Sequence, residues 1–586
     1  MINDFLTVIA EHGRIVFGIL LLIALSQALI NEALKAIFGN RLKPSEYFAL
    51  GFAGWILPTS VLALLWLFLG RFSTLTIFLL LLILIPTFAR LKLDIEPESK
   101  KVILSLLTFI LLSIPFRLVF VSDALLPSYF DSAQHYLLIR QLLENGSPME
   151  TFSVTQYYHP GFHILAAFIV SVLDADISKT ILIFGQLTLA IMPISIFFLV
   201  KYMTGSNQAG FLAAVLSAFG WYMPAHAVNW GKYPALTSLA LLPFVLSLAY
   251  LLWQNRDELS PPKRWALYCL FGLSSMIAIL IHSRALVVLA IIFFAWGIAI
   301  WQGKLSSPSR VLIFITITFV LVLEMLFIQQ EALFSLLLDP YINKGVWITV
   351  LVLCLSIFAI KEYSQVILAC MFSMCFFWGS LFQPVNLPGY RILTLLDRPF
   401  VEMILYLPLS VMGGLGLAGL AKVISKIQIG TFSLHQNAGI FVIGLVGVHA
   451  FFTYNLYPSK CCVIVSKDDM LAITWIKNHL TREAHIGISG TELDVLTSES
   501  PEGIVGGDAG IWIMPLIGRA TIPMLYSSDF GQPSVKEVLC QNGIDYLYVG
   551  EFGQSFDTRK LNEHPEWYST ILSMQQIKVY EVIGCF

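Results

Sequence analysis

Long apolar stretches separated by short polar ones recur along nearly the whole chain, and they constrain its fold more than any single motif does. A hydrocarbon layer about 30 Å thick is crossed by roughly 17–25 helical residues, and backbone groups inside it must find partners within their own segment. Stretches of that length occupy residues 13–38, 46–70, 73–90, 102–121, 179–203, 208–224, 234–254, 264–282, 285–303, 310–328, 346–361, 363–382, 399–420 and 437–454. They predict a polytopic α-helical membrane protein with about fourteen transmembrane helices. Composition agrees, since only 12% of the residues are charged, against about a quarter in globular chains. With a formal net charge of -2, no basic surface invites nucleic acid. The opening MINDFLTVIAEHGR is acidic where a signal peptide would be basic.

Short loops rich in Lys and Arg stay on the cytoplasmic side. Gly161 to Asp174 is apolar but short for a span, and is read as a juxtamembrane helix. With that segment left out of the count, alternate loops carry Arg41 and Lys43; Arg90, Lys92, Lys100 and Lys101; Lys201; Arg256, Lys263 and Arg264; Lys304 and Arg310; Lys361; and Lys422 with Lys426. All fall on one side. The extracytoplasmic side then gathers the polar loop 121–163, His226 to Pro234, His282 to Arg284, Glu324 to Lys344, Gln383 to Arg398 and everything after Tyr457.

The chain thus divides into a transmembrane domain, residues 1–456, and an extracytoplasmic α/β domain, residues 457–586. In the latter a helix is expected near Asp468 to Leu480, with strands at Ile486 to Ile488, Asp545 to Val549 and Ile577 to Val582. Gly506 to Arg519 lacks the strand-then-G-x-G-x-x-G order of a phosphate loop. It is either a turn-rich corner or a cap over the membrane cavity. Four of the eight cysteines lie in apolar runs, and of the others Cys461 or Cys462 is expected to pair with Cys585.

The 121–163 loop is the first long polar interruption in the sequence and the place to look for chemistry. Asp131 and His135 stand four apart in a segment, Asp131 to Glu144, whose apolar residues fall at helical spacing, so the two share one face. The opposite face can lie on a membrane. His159 and His163 repeat the i, i+4 relation around Pro160, which suits the first turn of a helix. A carboxylate such as Asp131 can take a proton from an acceptor hydroxyl, and Asp is also a favoured helix cap. At distant outer helix ends stand Lys232, Arg284, Arg391 and Arg398, the last with Glu402 one turn on. Cations there hold the phosphate of a leaving group or contact lipid headgroups. His159, His163, His282 and Glu402 are read as orienting the substrate. The two spaced pairs also have metal-ligand geometry, but Mg²⁺ and Mn²⁺ prefer oxygen ligands and one carboxylate is present. No metal is assigned, and a divalent ion is kept as the alternative.

Phe130-Asp131-Ser-Ala-Gln-His135 in the first large outer loop, and Tyr157-Tyr-His-Pro-Gly-Phe162 after it, are followed by a many-helix body and an outer C-terminal domain. In this the chain resembles the GT-C superfamily of membrane glycosyltransferases, which use polyprenyl-phosphate-linked sugars. The second motif looks like the His-Pro-Pro-Leu segment of protein O-mannosyltransferases, with Gly161 in place of the second proline. Ser132 stands where that family often has a second acid. The resemblance implies a GT-C-like fold and carries the family's first-loop acid, a catalytic base or a metal holder, onto Asp131, with His135 beside it. It implies transfer of a sugar from a polyprenyl-phosphate donor to a glycan, lipid or protein acceptor on the extracytoplasmic face, as in building cell-envelope glycans. A transporter or flippase for a lipid-linked saccharide is the rival, and would carry ionisable residues or broken helices at mid-membrane; a non-catalytic scaffold with the same body is the other. The notable charges cluster at outer helix ends, which favours the enzyme.

Overall fold

The computed structural model describes residues 1–69, 96–144, 159–330, 341, 345–382, 394–425, 434–492 and 503–585. Among these residues nine helices are long and apolar enough to cross a membrane, or ten if the bent pair Pro44–Ala53 and Ile56–Leu69 is one span. Gly161–Leu173, Val346–Ala359 and Gly439–Thr453 are apolar but shorter. The described residues therefore hold fewer full spans than the fourteen expected. The stretches at 346–361 and 437–454 contribute shorter helices, and 73–90 lies outside the described residues.

Ile177–Thr204, Tyr233–Asn255 and Arg398–Ile424 form the centre of the bundle, because nearly all of each is buried in protein. Pro261–Ile281 and Arg284–Gln302 are mostly open and turn Trp265, Met276, Leu286 and Phe294 outward, as lipid-facing helices do. Helix Tyr406–Ile424 runs close to Val346–Ala359 because a Cβ at Gly419 would overlap the Phe358 carbonyl.

Two helices of the predicted outer region are packed into protein. Gly161–Leu173 is buried along almost its whole length and packs among Ile56–Leu69, Phe130–Glu144 and Ile177–Ile191. A helix this apolar is stable only with protein or lipid all round it, and protein covers most of it here. Phe130–Glu144 does not lay its apolar face on a membrane. Its Ile139 and Leu142 join the core of the bundle, and its Ala133 joins the core of the C-terminal domain.

That domain is built on one six-stranded sheet: β1 (His485–Glu492), β2 (Ile504–Gly506), β3 (Ala520–Leu525), β4 (Tyr546–Val549), β5 (Tyr568–Met574) and β6 (Ile577–Val582), in the order β2-β1-β4-β6-β5 with β3 also on β1. β1 runs parallel to β3 and β4, and the other pairs are antiparallel. Helix Lys467–His479 starts at a Ser466/Asp469 capping box and covers β5 and β6. Gly506 to Arg519 is a structural corner, whose Asp508 accepts hydrogen bonds from Gly510 N–H (2.9 Å), Gly550 N–H (3.0 Å) and the Ser555 hydroxyl (2.6 Å). The corner docks on Phe130–Glu144: Trp512 meets Tyr136 edge-on at 5.7 Å, and Arg140 donates to the Pro515 carbonyl at 2.9 Å. Cys585 is bonded to Cys540, at the end of helix Pro533–Gln541, and not to Cys461 or Cys462. Those two lie far along the chain, against Tyr129, with their sulfurs 2.8 Å apart.

Candidate active site

The site begins at a sharp turn. Tyr129 has a φ of 66° and its N–H donates to the Cys462 carbonyl at 3.0 Å, after which helix Phe130–Glu144 starts. Asp131 therefore sits in the first turn, where exposed N–H groups favour a negative charge. Facing it is the turn Gly231-Lys232. Gly231 has a φ of 66°, and a Cβ there would stand 2.5 Å from Ser132 Oγ, so only glycine lets the two backbones approach this closely. The closeness delivers the Lys232 ammonium onto Asp131 Oδ2, in an ion pair shielded from solvent on most sides. Burial pushes Lys232 down, but the charges of Asp131 and Asp397 outweigh it and hold the ammonium above its usual value.

Arg284 is the first residue of helix Arg284–Gln302, and its guanidinium reaches Asp397 Oδ2 at 2.6 Å and the Thr394 carbonyl at 3.2 Å. Asp397 Oδ1 caps helix Arg398–Ile404 by accepting from Phe400 N–H at 3.0 Å. One carboxylate thus starts a helix and anchors the arginine. Arg398 is the next residue, with Glu402, buried one turn on, as its electrostatic partner. Arg391 lies outside the described residues, as do 145–158 of the 121–163 loop.

The histidines close the back of the site. His163 Nδ1–H donates to the His159 carbonyl at 3.1 Å, which leaves its Nε2 to accept from His135 Nδ1–H, also at 3.1 Å. The bond ties helix Phe130–Glu144 to Gly161–Leu173. His159 packs on His282, ring centres 4.4 Å apart, and His282 Nδ1 accepts from Arg284 N–H at 3.3 Å. Burial, with the charge of Lys232 behind it, pushes His135 down to about 3, and burial beside Arg284 pushes His159 down to about 4. His282 is depressed well below its ordinary value for the same reasons. Shifted this way, the rings favour their neutral, hydrogen-bonding form.

The structure therefore brings together Asp131, His135, His159, His163, Lys232, His282 and Arg284 out of the residues the sequence suggested. It adds Asp397, which sequence reasoning missed. Asp-Arg-Pro at 397–399 does signal a helix start, but nothing local signals a salt bridge to Arg284. The donors do not fit a hard divalent ion: Asp131 is turned to Lys232, Asp397 to Arg284 and a helix end, and His135 and His163 to each other.

A protein-family model described as a family of unknown function (DUF6541) matches residues 46–337. The stretch includes Asp131, Lys232 and Arg284 and ends before Asp397. No curated protein sequence matches the chain. Among solved structures the chain is similar to the arabinofuranosyltransferase AftD from Mycobacteria, with 12% identity and a TM-score of 0.35, over 82% of this chain and 40% of that one. The chain thus spans less than half the length of that structure, and the likeness is too slight to carry a shared fold.

Proposed function

We propose that the chain is a membrane glycosyltransferase that moves a sugar from a polyprenyl-phosphate donor to an acceptor hydroxyl on the extracytoplasmic side. One observation carries the reading: a carboxylate, an ammonium and a guanidinium from distant parts of the chain meet in one polar cluster between the membrane bundle and the C-terminal domain. In the reaction the acceptor O–H gives its proton to Asp131 while its oxygen attacks the anomeric carbon. The bond from that carbon to the phosphate oxygen breaks, and the electron pair leaves with the polyprenyl phosphate. Base and leaving group must stand on opposite sides of that carbon, so Lys232, being in contact with Asp131, orients the base. The phosphate falls to Arg284, which can exchange Asp397 for a phosphate oxygen, and Arg398 is the next candidate. His159 and His282 pack together beside Arg284. The Cys540–Cys585 disulfide supports an extracytoplasmic domain.

The test is release of polyprenyl phosphate by the protein in lipid nanodiscs, across a panel of polyprenyl-phosphate sugars with an acceptor extract. Asp131→Asn keeps the shape and removes the basicity, so turnover should fall about 10²-fold or more with donor binding kept. Full transfer by Asp131→Asn would remove Asp131 as base. Movement of a donor between leaflets without release of polyprenyl phosphate would replace the enzyme with a transporter.

A further inference from the structure

A few residues before Lys232, the turn that contains His226 and Asn229 walls a cavity of about 360 Å³, at the small end of ligand pockets, which run from roughly 300 to 1,000 Å³. Its other walls are the outer parts of helices Pro97–Ser122, Ile177–Ile191 and Leu434–Thr453 and the Phe219–Tyr222 segment. None of its described lining residues is an Asp, Glu, Lys or Arg, in contrast to the charged cluster beside it. Gln186 points to a guest. It is 2% exposed, it lines the cavity, and its amide nitrogen has no hydrogen-bond partner among the described residues. An unsatisfied buried donor costs about 1–3 kcal/mol, and such groups are rare in folded proteins without an occupant to satisfy them.

The aromatic walls narrow the chemistry. Trp221 spends its indole N–H on Thr349 (3.0 Å), the Tyr222 hydroxyl meets Ser459 (2.9 Å), and the Tyr454 hydroxyl accepts from Arg117 (2.7 Å). With their polar ends engaged, what these rings offer the cavity is apolar surface. An anion would find no cation in the lining, and a hydrocarbon tail would leave Gln186 unsatisfied. A sugar ring supplies hydroxyls for Gln186 and C–H faces for the aromatics, while the Asn229 amide is held by His226 (3.2 Å) and Ser459 N–H (2.7 Å).

We infer that this cavity binds a neutral glycosyl ring, separately from the phosphate-binding charges. The inference stands on the cavity alone and does not require the transfer reading. The ring can arrive on a lipid or as free saccharide. Both sources are tested on the full chain in nanodiscs made with its native membrane lipids, by mass spectrometry of retained neutral glycolipids and by saturation-transfer NMR with neutral pentoses, hexoses and their disaccharides. Binding is expected in one arm, and the arm identifies the source. Gln186→Leu should weaken it at least tenfold. Thr453→Trp, at an exposed position on the rim, should block it and covers the case in which the Gln186 variant fails to fold. Asp131→Asn should bind normally. No binding in either arm, or binding as tight as in the unaltered chain in both Gln186→Leu and Thr453→Trp, would overturn the inference and leave a water-filled cavity. Full transfer by Asp131→Asn, with glycosyl binding still lost in Gln186→Leu, would instead remove the proposed mechanism and leave the cavity assignment standing.

Discussion

Lys232 reaches Asp131 across 101 positions of sequence, and the contact changes what each side chain is expected to do. Lys232→Met keeps most of the stem and strips a largely buried carboxylate of its partner, which should cost about 1–3 kcal/mol of stability. If the lysine serves the base, turnover falls about 10- to 100-fold with the donor KM unchanged, and Asp131→Asn with Lys232→Met is no slower than Asp131→Asn alone. Arg284→Met should instead raise the donor KM, because an arginine–phosphate contact exists before the reaction as well as during it. Steady-state kinetics of the four proteins decide the matter: a raised KM in Lys232→Met, additive with Asp131→Asn, would put the lysine on the phosphate. The pairs at i, i+4 spacing were legible because helical periodicity is local. The Lys232–Asp131 and Arg284–Asp397 pairs were not, because each joins loops more than 100 positions apart. Sequence placed these cations on one side of the membrane without saying which carboxylate each would meet.

Hydropathy reports how long an apolar sequence is, not how long its helix becomes. That is why 346–361 reads as a span and forms only the helix Val346–Ala359. In the C-terminal domain the helix and the three expected strands were legible from periodicity, whereas β3 was hidden by Pro523 in its middle. A proline survives there because β3 pairs only with β1 among the described strands. The hairpin between β5 and β6 was hidden too, since its turn uses Gln575 at a φ of 42° rather than glycine or asparagine. The corner at Asp508 links this domain to the helix that carries Asp131. Burial pushes the Asp508 carboxyl up to about 7, yet three donors converge on it and favour the anion. Asp508→Asn puts an NH₂ group against one or more of those donors, and should destabilise the domain by about 1–3 kcal/mol. Hydrogen-exchange mass spectrometry of the whole chain in rising denaturant, read on peptides that span Gly506 to Arg519, would show this as a lower midpoint, and an unchanged midpoint would mean that the corner is not held by Asp508.

At the scale of the whole molecule the two ends of the bundle are chemically different. Helix Tyr233–Asn255 has 23 residues, about 35 Å at 1.5 Å per residue, and this is enough to put Lys232 and Asn255 on opposite faces of a membrane. On the Asn255 face, Arg41 pairs with Glu258, Lys201 with Glu46 at 2.7 Å and Lys43 with Glu98 at 3.7 Å. Four of the seven basic loops that sequence placed on the cytoplasmic side are thus bound to one another there. On the Lys232 face lie Asp131, Arg284 and, through Trp512 and Arg140, the C-terminal domain. The acid-bearing helix and the domain therefore share a side, and the positive-inside rule predicts that it is the outer one. Cysteines placed at the exposed Glu144 and Glu563, in a background without Cys461, should react with a membrane-impermeant maleimide on intact cells. A cysteine at exposed Asp257 should react only after the membrane is opened. Reaction of Asp257 alone on intact cells would invert the whole orientation, and reaction of only one of Glu144 and Glu563 would break the docking of domain on helix. Either result would move the chemistry away from the side where a lipid-linked sugar and an outer acceptor can meet.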